Sequence, residues 1–201
     1  MKIESLMVPN PVTVTARAKV EDAIDVMKRH AIRHLPVVNA KKQLQGLLTL
    51  ADLKQALLPS MLGDLTLSDM MIKNPITVSP NDDIEYAARL IYEHKIGGLP
   101  VTMGRRLVGI ITESDILRAF IDMMGILSNS TRIEVSTGTD PAGLNKAIRI
   151  IQKTGAEIIN IGMTAQQQDD RTYYFRLLPC KIAPIEKALH KEGFVVREAI
   201  A

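Results

Sequence analysis

The chain has 201 residues, of which 46% are hydrophobic and 23% charged, a balance typical of a soluble globular protein with one or two domains. The net charge is +3 and aromatic residues make up only 3%, so nucleic acid is not the expected partner, although a pI near 9.0 leaves that alternative open. The single cysteine, Cys180, cannot form an internal disulfide, and no apolar run reaches the roughly 18–20 residues that span a bilayer, so we expect a cytoplasmic protein with no membrane partner.

The first part of the chain contains one unit twice. The matching positions, 64 residues apart, are Met7 and Met71, Asn10-Pro11 and Asn74-Pro75, Thr13-Val14 and Thr77-Val78, His30 and His94, and Leu35-Pro36-Val37 and Leu99-Pro100-Val101. After the next turn the offset becomes 63, as between Gly46 and Gly109. A constant offset with a single slip is typical of a tandem duplication.

Each copy predicts the order strand, helix, strand, strand, helix. A short strand is expected at residues 12–15 and again at 76–79, because proline disfavours helix before it and the Thr/Val pattern favours strand. An amphipathic helix follows, since apolar residues recur at i, i+3, i+4 and i+7. These residues are Val20, Ala23, Ile24 and Met27 in the first copy and Ile84, Ala87, Ala88 and Ile91 in the second. Strands at residues 35–38 and 99–102, and further strands through Gly46 and Gly109, lead to the last helix of each copy.

A unit of about 60 residues with three short strands is marginally stable alone. We therefore expect the copies, residues 1–60 and 61–124, to pack their sheets together about a pseudo-twofold axis as one module. Such packing leaves clefts near the points where strands lead into helices.

These junctions carry a hydroxyl and a carboxylate three residues apart, in Thr49 with Asp52 and in Thr112 with Asp115. Thr-x-x-Asp at a helix start predicts a capping box, in which each side chain bonds a free backbone N–H. The same geometry suits a ligand, because a helix N-terminus attracts phosphate and an adjacent Asp can accept both hydroxyls of a ribose. Both interpretations stay open for one copy, and the repetition favours the second.

The two copies resemble the CBS motif, named after cystathionine beta-synthase, and their tandem arrangement resembles a Bateman module. The resemblance rests on Met-x₃-Pro at residues 7–11 and 71–75, the Leu-Pro-Val strands and two Gly-x-x-Thr-x-x-Asp segments. It implies a regulatory protein that binds an adenosine compound, such as AMP, ADP, ATP or S-adenosylmethionine, and acts on an unidentified protein partner. The implied contacts are Asp52 and Asp115 with the ribose, Thr49 and Thr112 with ribose or phosphate, and the main chain at Thr13 and Thr77 with the adenine.

The copies differ just before the Leu-Pro pair, where the first has Arg33-His34 and the second has Gly97-Gly98. We count all four as candidate nucleotide contacts and expect two unequal sites, because only the first pair offers a cation and an imidazole to a phosphate. A solvated strand end is the alternative interpretation of Arg33 and His34. The sequence does not indicate which copy supplies the basic residues of a given cleft.

Residues 125–130 read as a linker, and residues 131–201 predict the ferredoxin-like order βαββαβ, with a polar hairpin loop at residues 166–170. With Asp140-Pro-Ala-Gly143 at the first strand-to-helix turn, this segment resembles an ACT domain. The resemblance implies a small effector near Asp140 and Gly143. Because subunit pairing would give these short sheets a partner, we also expect a homodimer. Asp-Pro-x-Gly is also an ordinary turn, and that alternative stays open.

The chain has no phosphate-binding glycine motif, no Cys/His cluster with metal spacing and no Ser or Cys with a recognisable His partner. We therefore expect no metal, no catalytic residue and no enzymatic activity. The fold class expected is α/β (α+β), a CBS pair followed by an ACT-like domain, an arrangement similar to the acetoin-utilisation (AcuB) group. The alternatives are a protein-interaction or nucleic-acid-binding scaffold without nucleotide sensing, and an enzyme of acetoin breakdown.

Overall fold

The computed structural model describes residues 1–56, 66–163 and 171–200. The chain divides into two compact units, Met1–Ala119 and Phe120–Ala201. The predicted hairpin loop at residues 166–170 and the expected boundary between the copies at residues 60 and 61 lie outside the described residues.

The first unit contains both copies. Its elements are a 3-10 helix (Ile3–Ser5), β1 (Val8–Pro9), α1 (Val20–Arg29), β2 (His34–Val38), β3 (Leu44–Thr49), α2 (Leu50–Ala56), α3 (Leu67–Met70), β4 (Ile72–Lys73), α4 (Ile84–His94), β5 (Gly98–Met103), β6 (Arg106–Thr112) and α5 (Glu113–Met124). Helix α5 begins in this unit and its last residues belong to the second unit.

The amphipathic helices α1 and α4 lie where the apolar spacing predicts them. The buried residues are Ala23, Ile24 and Met27 in α1 and Ile84, Ala87 and Ile91 in α4. Each helix packs on the Leu-Pro-Val strand of its own copy, and residues from the start of the other copy complete each apolar cluster, Leu67 beside α1 and Ile3 beside α4. Burying one large aliphatic side chain stabilises the fold by about 1.5–3 kcal/mol, which makes these clusters the main support of the module.

The prediction of strands at residues 12–15 and 76–79 is confirmed at only one residue of each segment. In these segments only Val14 and Val78 form isolated bridges, to Val37 and Val101. The strands β1 and β4 come earlier, before each Asn-Pro pair. The chain turns at the asparagines, which have φ of +47° and +53°, a conformation that Asn tolerates better than most residues.

Each copy contributes its first strand to the sheet of the other copy. Strand β1 pairs with β6 and strand β4 with β3, giving sheets of order β1-β6-β5 and β2-β3-β4. A Cβ on Gly109 would collide with the sulfur of Met7, and a Cβ on Gly46 would collide with that of Met71. The methionine of each copy therefore packs against the glycine of the other copy, and these two equivalent contacts hold the copies together.

Beyond the end of α5, the described residues of the second unit form one antiparallel sheet and two helices. Its elements are β7 (Thr131–Ser136), α6 (Gly143–Lys153), β8 (Ile158–Met163), β9 (Thr172–Leu177), α7 (Ile182–Lys191) and β10 (Val195–Ile200), with strand order β10-β7-β9-β8. The buried face of the sheet packs on both helices through a core of Ile133, Val135, Ala147, Ile151, Phe175, Leu177, Ile185 and Leu189. Alternate residues of β7 are buried, as a sheet with one covered face requires.

Candidate functional site

Both copies have the carboxylate half of the predicted capping box, and in the first copy the Asp52 backbone N–H also donates to the Thr49 hydroxyl oxygen at 3.3 Å. The Asp115 Oδ2 atom accepts hydrogen bonds from the Thr112 backbone N–H at 2.8 Å and the Thr112 hydroxyl at 2.6 Å. The Asp52 Oδ2 atom accepts the equivalent bonds from Thr49 at 3.1 Å and 2.7 Å. These contacts fix the first turns of α5 and α2 at the ends of strands β6 and β3.

A third Thr-x-x-Asp segment shows that capping alone does not identify a ligand site. Thr66 and Asp69 make the same pair of bonds, at 3.0 Å and 2.6 Å, at the start of the short helix α3. The two hydrogen bonds with Thr66 lower the pKa of the exposed Asp69 carboxyl below its ordinary value. A ligand site therefore has to be recognised by a cavity next to the capping box, not by the capping box itself.

A cavity of about 290 Å³ lies beside the second capping box. It is lined by Val8, Pro11, Val12, Ala31, Ile32, Arg33, His34, Ile110, Thr112, Ser114 and Asp115. Residues of the first copy thus face the hydroxyl and the carboxylate of the second copy, which answers the question that the sequence left open. The volume is at the lower end of the range of about 300–1,000 Å³ for ligand pockets, which suits a small ligand.

The carboxylate of Asp115 has capacity left for a ligand. Both of its recorded bonds use Oδ2, and within the described residues no hydrogen bond to Oδ1 is recorded. An ionised carboxylate can accept about four hydrogen bonds. The capping role and the ligand role of Asp115 are therefore compatible.

His34 lies against the two glycines of the second copy. A Cβ on Gly97 would be 2.9 Å from the His34 Nε2 atom, and a Cβ on Gly98 would be 3.4 Å from the imidazole ring. Burial of the ring, together with the nearby charge of Arg33, lowers the pKa of His34, while Glu113 and Asp52 act in the opposite direction. Burial therefore favours the neutral form of His34, and the absence of side chains at 97 and 98 makes room for the ring.

The other predicted residues lie apart from this cavity's lining. Thr49 and Asp52 form their own box in the first copy, and Thr13 is exposed. Thr77 lines a different, polar cavity of about 440 Å³, together with Gln45 and other residues near the β2–β3 and β5–β6 turns.

Seven lining residues were not among the predicted contacts: Val8, Pro11, Val12, Ala31, Ile32, Ile110 and Ser114. A sequence signal existed for Pro11, which belongs to the repeated Met-x₃-Pro motif. Ala31 and Lys95 occupy corresponding positions and both have positive φ, of +51° and +52°, so the chain makes the same turn before each Leu-Pro strand. Ser114 could not be singled out because its counterpart, Ala51, has no polar group.

The predicted effector residues of the second unit have local structural roles. The Asp140 carboxylate accepts hydrogen bonds from the Ala142 backbone N–H and from Lys146 Nζ, both at 2.8 Å. These bonds lower the pKa of Asp140, that from Lys146 most. Gly143 is buried, and a Cβ there would be 2.7 Å from the Cβ of Thr137. A turn thus accounts for both residues, and an effector role stays a prediction.

The described residues include no group of three or more His, Cys, Asp or Glu side chains placed to hold a metal ion. None of the helices within the described part of the chain has the length and apolarity that crossing a membrane requires.

The sequence model of the CBS domain matches residues 3–59 and 67–122, more than half of the chain. The chain belongs to the CBS-domain family. The two matches form a tandem pair, a Bateman module, and they contain both strand-to-helix junctions described above.

Solved CBS pairs resemble the first part of the chain. A putative acetoin utilization protein (AcuB) from Vibrio cholerae is 33% identical, with a TM-score of 0.58 over 63% of this chain and 96% of that one. The CBS pair of protein MJ0100, solved with 5′-methylthioadenosine and S-adenosyl-L-methionine, is 29% identical, with a TM-score of 0.56 over 60% and 95% of the two chains. CBSX2 from Arabidopsis thaliana, solved with AMP, is 27% identical, with a TM-score of 0.55 over 61% and 97%.

The first four curated relatives carry the names of enzymes and are 29–35% identical over 102–119 residues. The chain spans only 20–23% of their length. CBS pairs generally have a regulatory rather than a catalytic role, so these names describe proteins of which the matched part is a minor portion.

Proposed function

We propose that this protein is a regulatory sensor that binds an adenosine-containing ligand in the cleft between its two CBS copies. The observation that carries the proposal is the cavity of about 290 Å³ in which Thr112 and Asp115 of one copy face Arg33 and His34 of the other. Adenosine compounds bound to two similar CBS pairs support the choice of ligand class.

In the proposed complex, the Oδ1 atom of Asp115 accepts the ribose hydroxyls. The apolar side chains of Val8, Val12 and Ile110 offer a surface for the adenine. Arg33 is exposed and lines the cavity, so its guanidinium can reach a phosphate that extends toward solvent. The limited volume favours a nucleoside or nucleoside monophosphate over a dinucleotide.

The first capping box, with Thr49 and Asp52, is the second proposed site, joined by Gly97 and Gly98. We place the main chain at Thr13 and Thr77 next to the adenine only through the family resemblance. Because His34 covers the glycines, we propose that this second site binds more weakly than the first.

For the second unit we propose an ACT-type, ferredoxin-like domain at residues 131–201, after a linker at 125–130. The strand order β10-β7-β9-β8, with both helices on one face, supports this assignment. A small effector near Asp140 and Gly143, a homodimer, and a regulated partner in acetoin use or another pathway are the remaining parts of the proposal.

A ligand panel tests the proposed function. The full chain is titrated calorimetrically with AMP, ADP, ATP, S-adenosylmethionine, 5′-methylthioadenosine and NAD. A ligand at 100 times its dissociation constant should stabilise the protein by about 2.7 kcal/mol, which a thermal shift detects independently. We expect binding of at least one adenosine compound, and GMP serves as the matched control for base recognition. No heat and no thermal shift with any adenosine compound would contradict the proposal.

A further inference from the structure

A groove of about 560 Å³ runs along helices α6 and α7 of the second unit. Four cationic side chains line it, those of Lys146, Arg149, Lys153 and Lys191, and so does one acid, Glu192. Arg149, Lys153 and Lys191 are exposed, and Arg149 and Lys153 are one turn apart on the same face of α6. The groove therefore presents a net positive charge to solvent.

The charge is a property of the helices, not of the whole unit. Helices α6 and α7 together carry five Lys or Arg residues and a single acid, Glu186, whereas the rest of residues 120–201 carries five Lys or Arg and eight acids. A solvated helix face usually mixes both signs. The separation of charge within one small unit points to an anionic partner for the helical layer.

The cations of the groove have few partners of their own. Lys146, at one end, pairs with Asp140 at 2.8 Å. For Arg149, Lys153 and Lys191, the structure records no salt bridge to any other described residue. Lys153 and Lys191 end their helices, where a cation is also favourable for the helix dipole. That effect does not explain Arg149, which lies in the middle of α6.

The groove also has an apolar floor. Ile150, Ala188 and Phe194 line it and are half-buried, so each keeps apolar surface in contact with solvent. An inorganic anion or a nucleic acid backbone would use the cations and leave this floor uncovered. A peptide with acidic residues on one side and apolar residues on the other would cover both.

We propose that this groove is the docking surface for an acidic amphipathic segment of a partner protein. Its acidic side chains pair with Arg149, Lys153 and Lys191, and its apolar side chains pack on Ile150 and Phe194. The proposal does not depend on nucleotide binding by the CBS copies.

Two labelled peptides of the same composition test the proposal on the full chain by fluorescence anisotropy. Each has 18 residues, Glu and Leu in equal number. One places Leu at i, i+3, i+4 and i+7, and the other distributes Leu so that no apolar face forms. We expect the patterned peptide to bind about tenfold more tightly, because only it covers the floor as well as the cations. Equal affinity for the two peptides, or competition by tripolyphosphate as strong as by unlabelled patterned peptide, would overturn the proposal.

Matched triple variants locate the binding. Arg149→Glu/Lys153→Glu/Lys191→Glu should weaken binding of the patterned peptide by about tenfold or more, since three charge pairs are lost and three repulsions are created. Arg17→Glu/Lys41→Glu/Lys181→Glu makes the same change in net charge outside the groove and should change the affinity much less. Equal losses in both variants would show a general charge effect and overturn the proposal. Calorimetry with AMP on both variants measures the nucleotide site separately. If a variant does not fold, the comparison of the two peptides on the unaltered chain still tests the proposal.

Discussion

The two CBS copies have the same elements and the same capping boxes, yet they differ in the residues that precede the Leu-Pro strands. The first copy has Arg33 and His34 there, and the second has Gly97 and Gly98. In the structure these differences meet, because the imidazole of His34 lies on the two glycines. The copies are therefore complementary rather than equivalent: one supplies a side chain and the other supplies the space for it.

The residues that line the cleft are complementary in the same way. Arg33 and His34 come from the first copy, and the carboxylate and hydroxyl of Asp115 and Thr112 come from the second. Duplication placed a capped helix start in each copy, and divergence at a few positions gave one of the two junctions a basic neighbour. If this comparison is right, changes at corresponding positions should have unequal effects.

The largest difference in AMP affinity is expected between the variants that remove the two carboxylates. Asp115→Ala should weaken AMP binding by about 1.5–3 kcal/mol, roughly 10–150-fold, because it removes a charged hydrogen-bond acceptor from the cavity. Asp52→Ala should weaken AMP binding much less, since Asp52 is not among the residues that line the cavity. Isothermal titration calorimetry well below the melting temperature measures both.

Asp69→Ala is the matched control for the carboxylates, because Asp69 forms an identical capping box next to neither junction. Losing a cap costs about 1 kcal/mol of stability, so this variant separates a stability effect from a binding effect. Equal losses of affinity in Asp52→Ala and Asp115→Ala would mean that the two junctions act alike, contrary to the comparison.

The second prediction concerns the space above the glycines. Gly97→Val should destabilise the protein by about 1–3 kcal/mol, because its Cβ would be 2.9 Å from the His34 Nε2 atom and the partly buried ring has to move. A lower urea midpoint with an unchanged slope measures this.

The double variant His34→Ala/Gly97→Val tests whether the clash itself is responsible. Removing the ring should make the valine substitution cost much less than it does in the presence of His34, so the two changes are not additive. If the valine costs the same with and without the ring, the two copies are not complementary at this point.

The sequence predicted what depends on neighbouring residues. Helices α1 and α4 follow from apolar spacing, and the capping boxes follow from Thr and Asp three residues apart. The sequence did not predict the exchange of β1 and β4, because a two-residue strand has no alternation to detect and its partner is in the other copy.

The set of residues that line the cleft also could not be predicted from the sequence, because they come from both copies. Nothing near Arg33 in the sequence indicates that it faces Asp115, about eighty residues away. The sequence predicts Gly97 and Gly98 as nucleotide contacts, and the structure shows in addition that they accommodate His34. A pairwise contact between copies becomes visible only once their relative packing is known.

The third prediction separates phosphate from nucleoside. Arg33→Ala should weaken AMP binding by about 1 kcal/mol, roughly fivefold, because an exposed charge pair contributes little more than this. Binding of 5′-methylthioadenosine, which has no phosphate, should be unchanged. Arg29→Ala, an exposed arginine at the end of α1, is the control. Equal weakening of both ligands by Arg33→Ala would show that Arg33 does not contact a phosphate.

The smallest effect expected is on the pH dependence of stability. Burial and the charge of Arg33 hold the pKa of His34 below its ordinary value of 6.5, against the weaker opposing effects of Glu113 and Asp52. As the pH falls through 6.5, the unfolded chain therefore takes up a proton at this position before the folded protein does. The free energy of unfolding should decrease as the pH falls in that window.

His34→Gln should have a shallower decrease of stability over the same range, measured by urea denaturation at a series of pH values. A phosphorylated ligand near the imidazole would favour its protonated form, so AMP affinity should rise as the pH falls, and this rise should be absent in His34→Gln. The second copy has glycine, which does not titrate, at the corresponding position. If the pH dependence of stability were the same in His34→Gln as in the unaltered protein, the two copies would not differ electrostatically at this position. Their difference there would then be only steric.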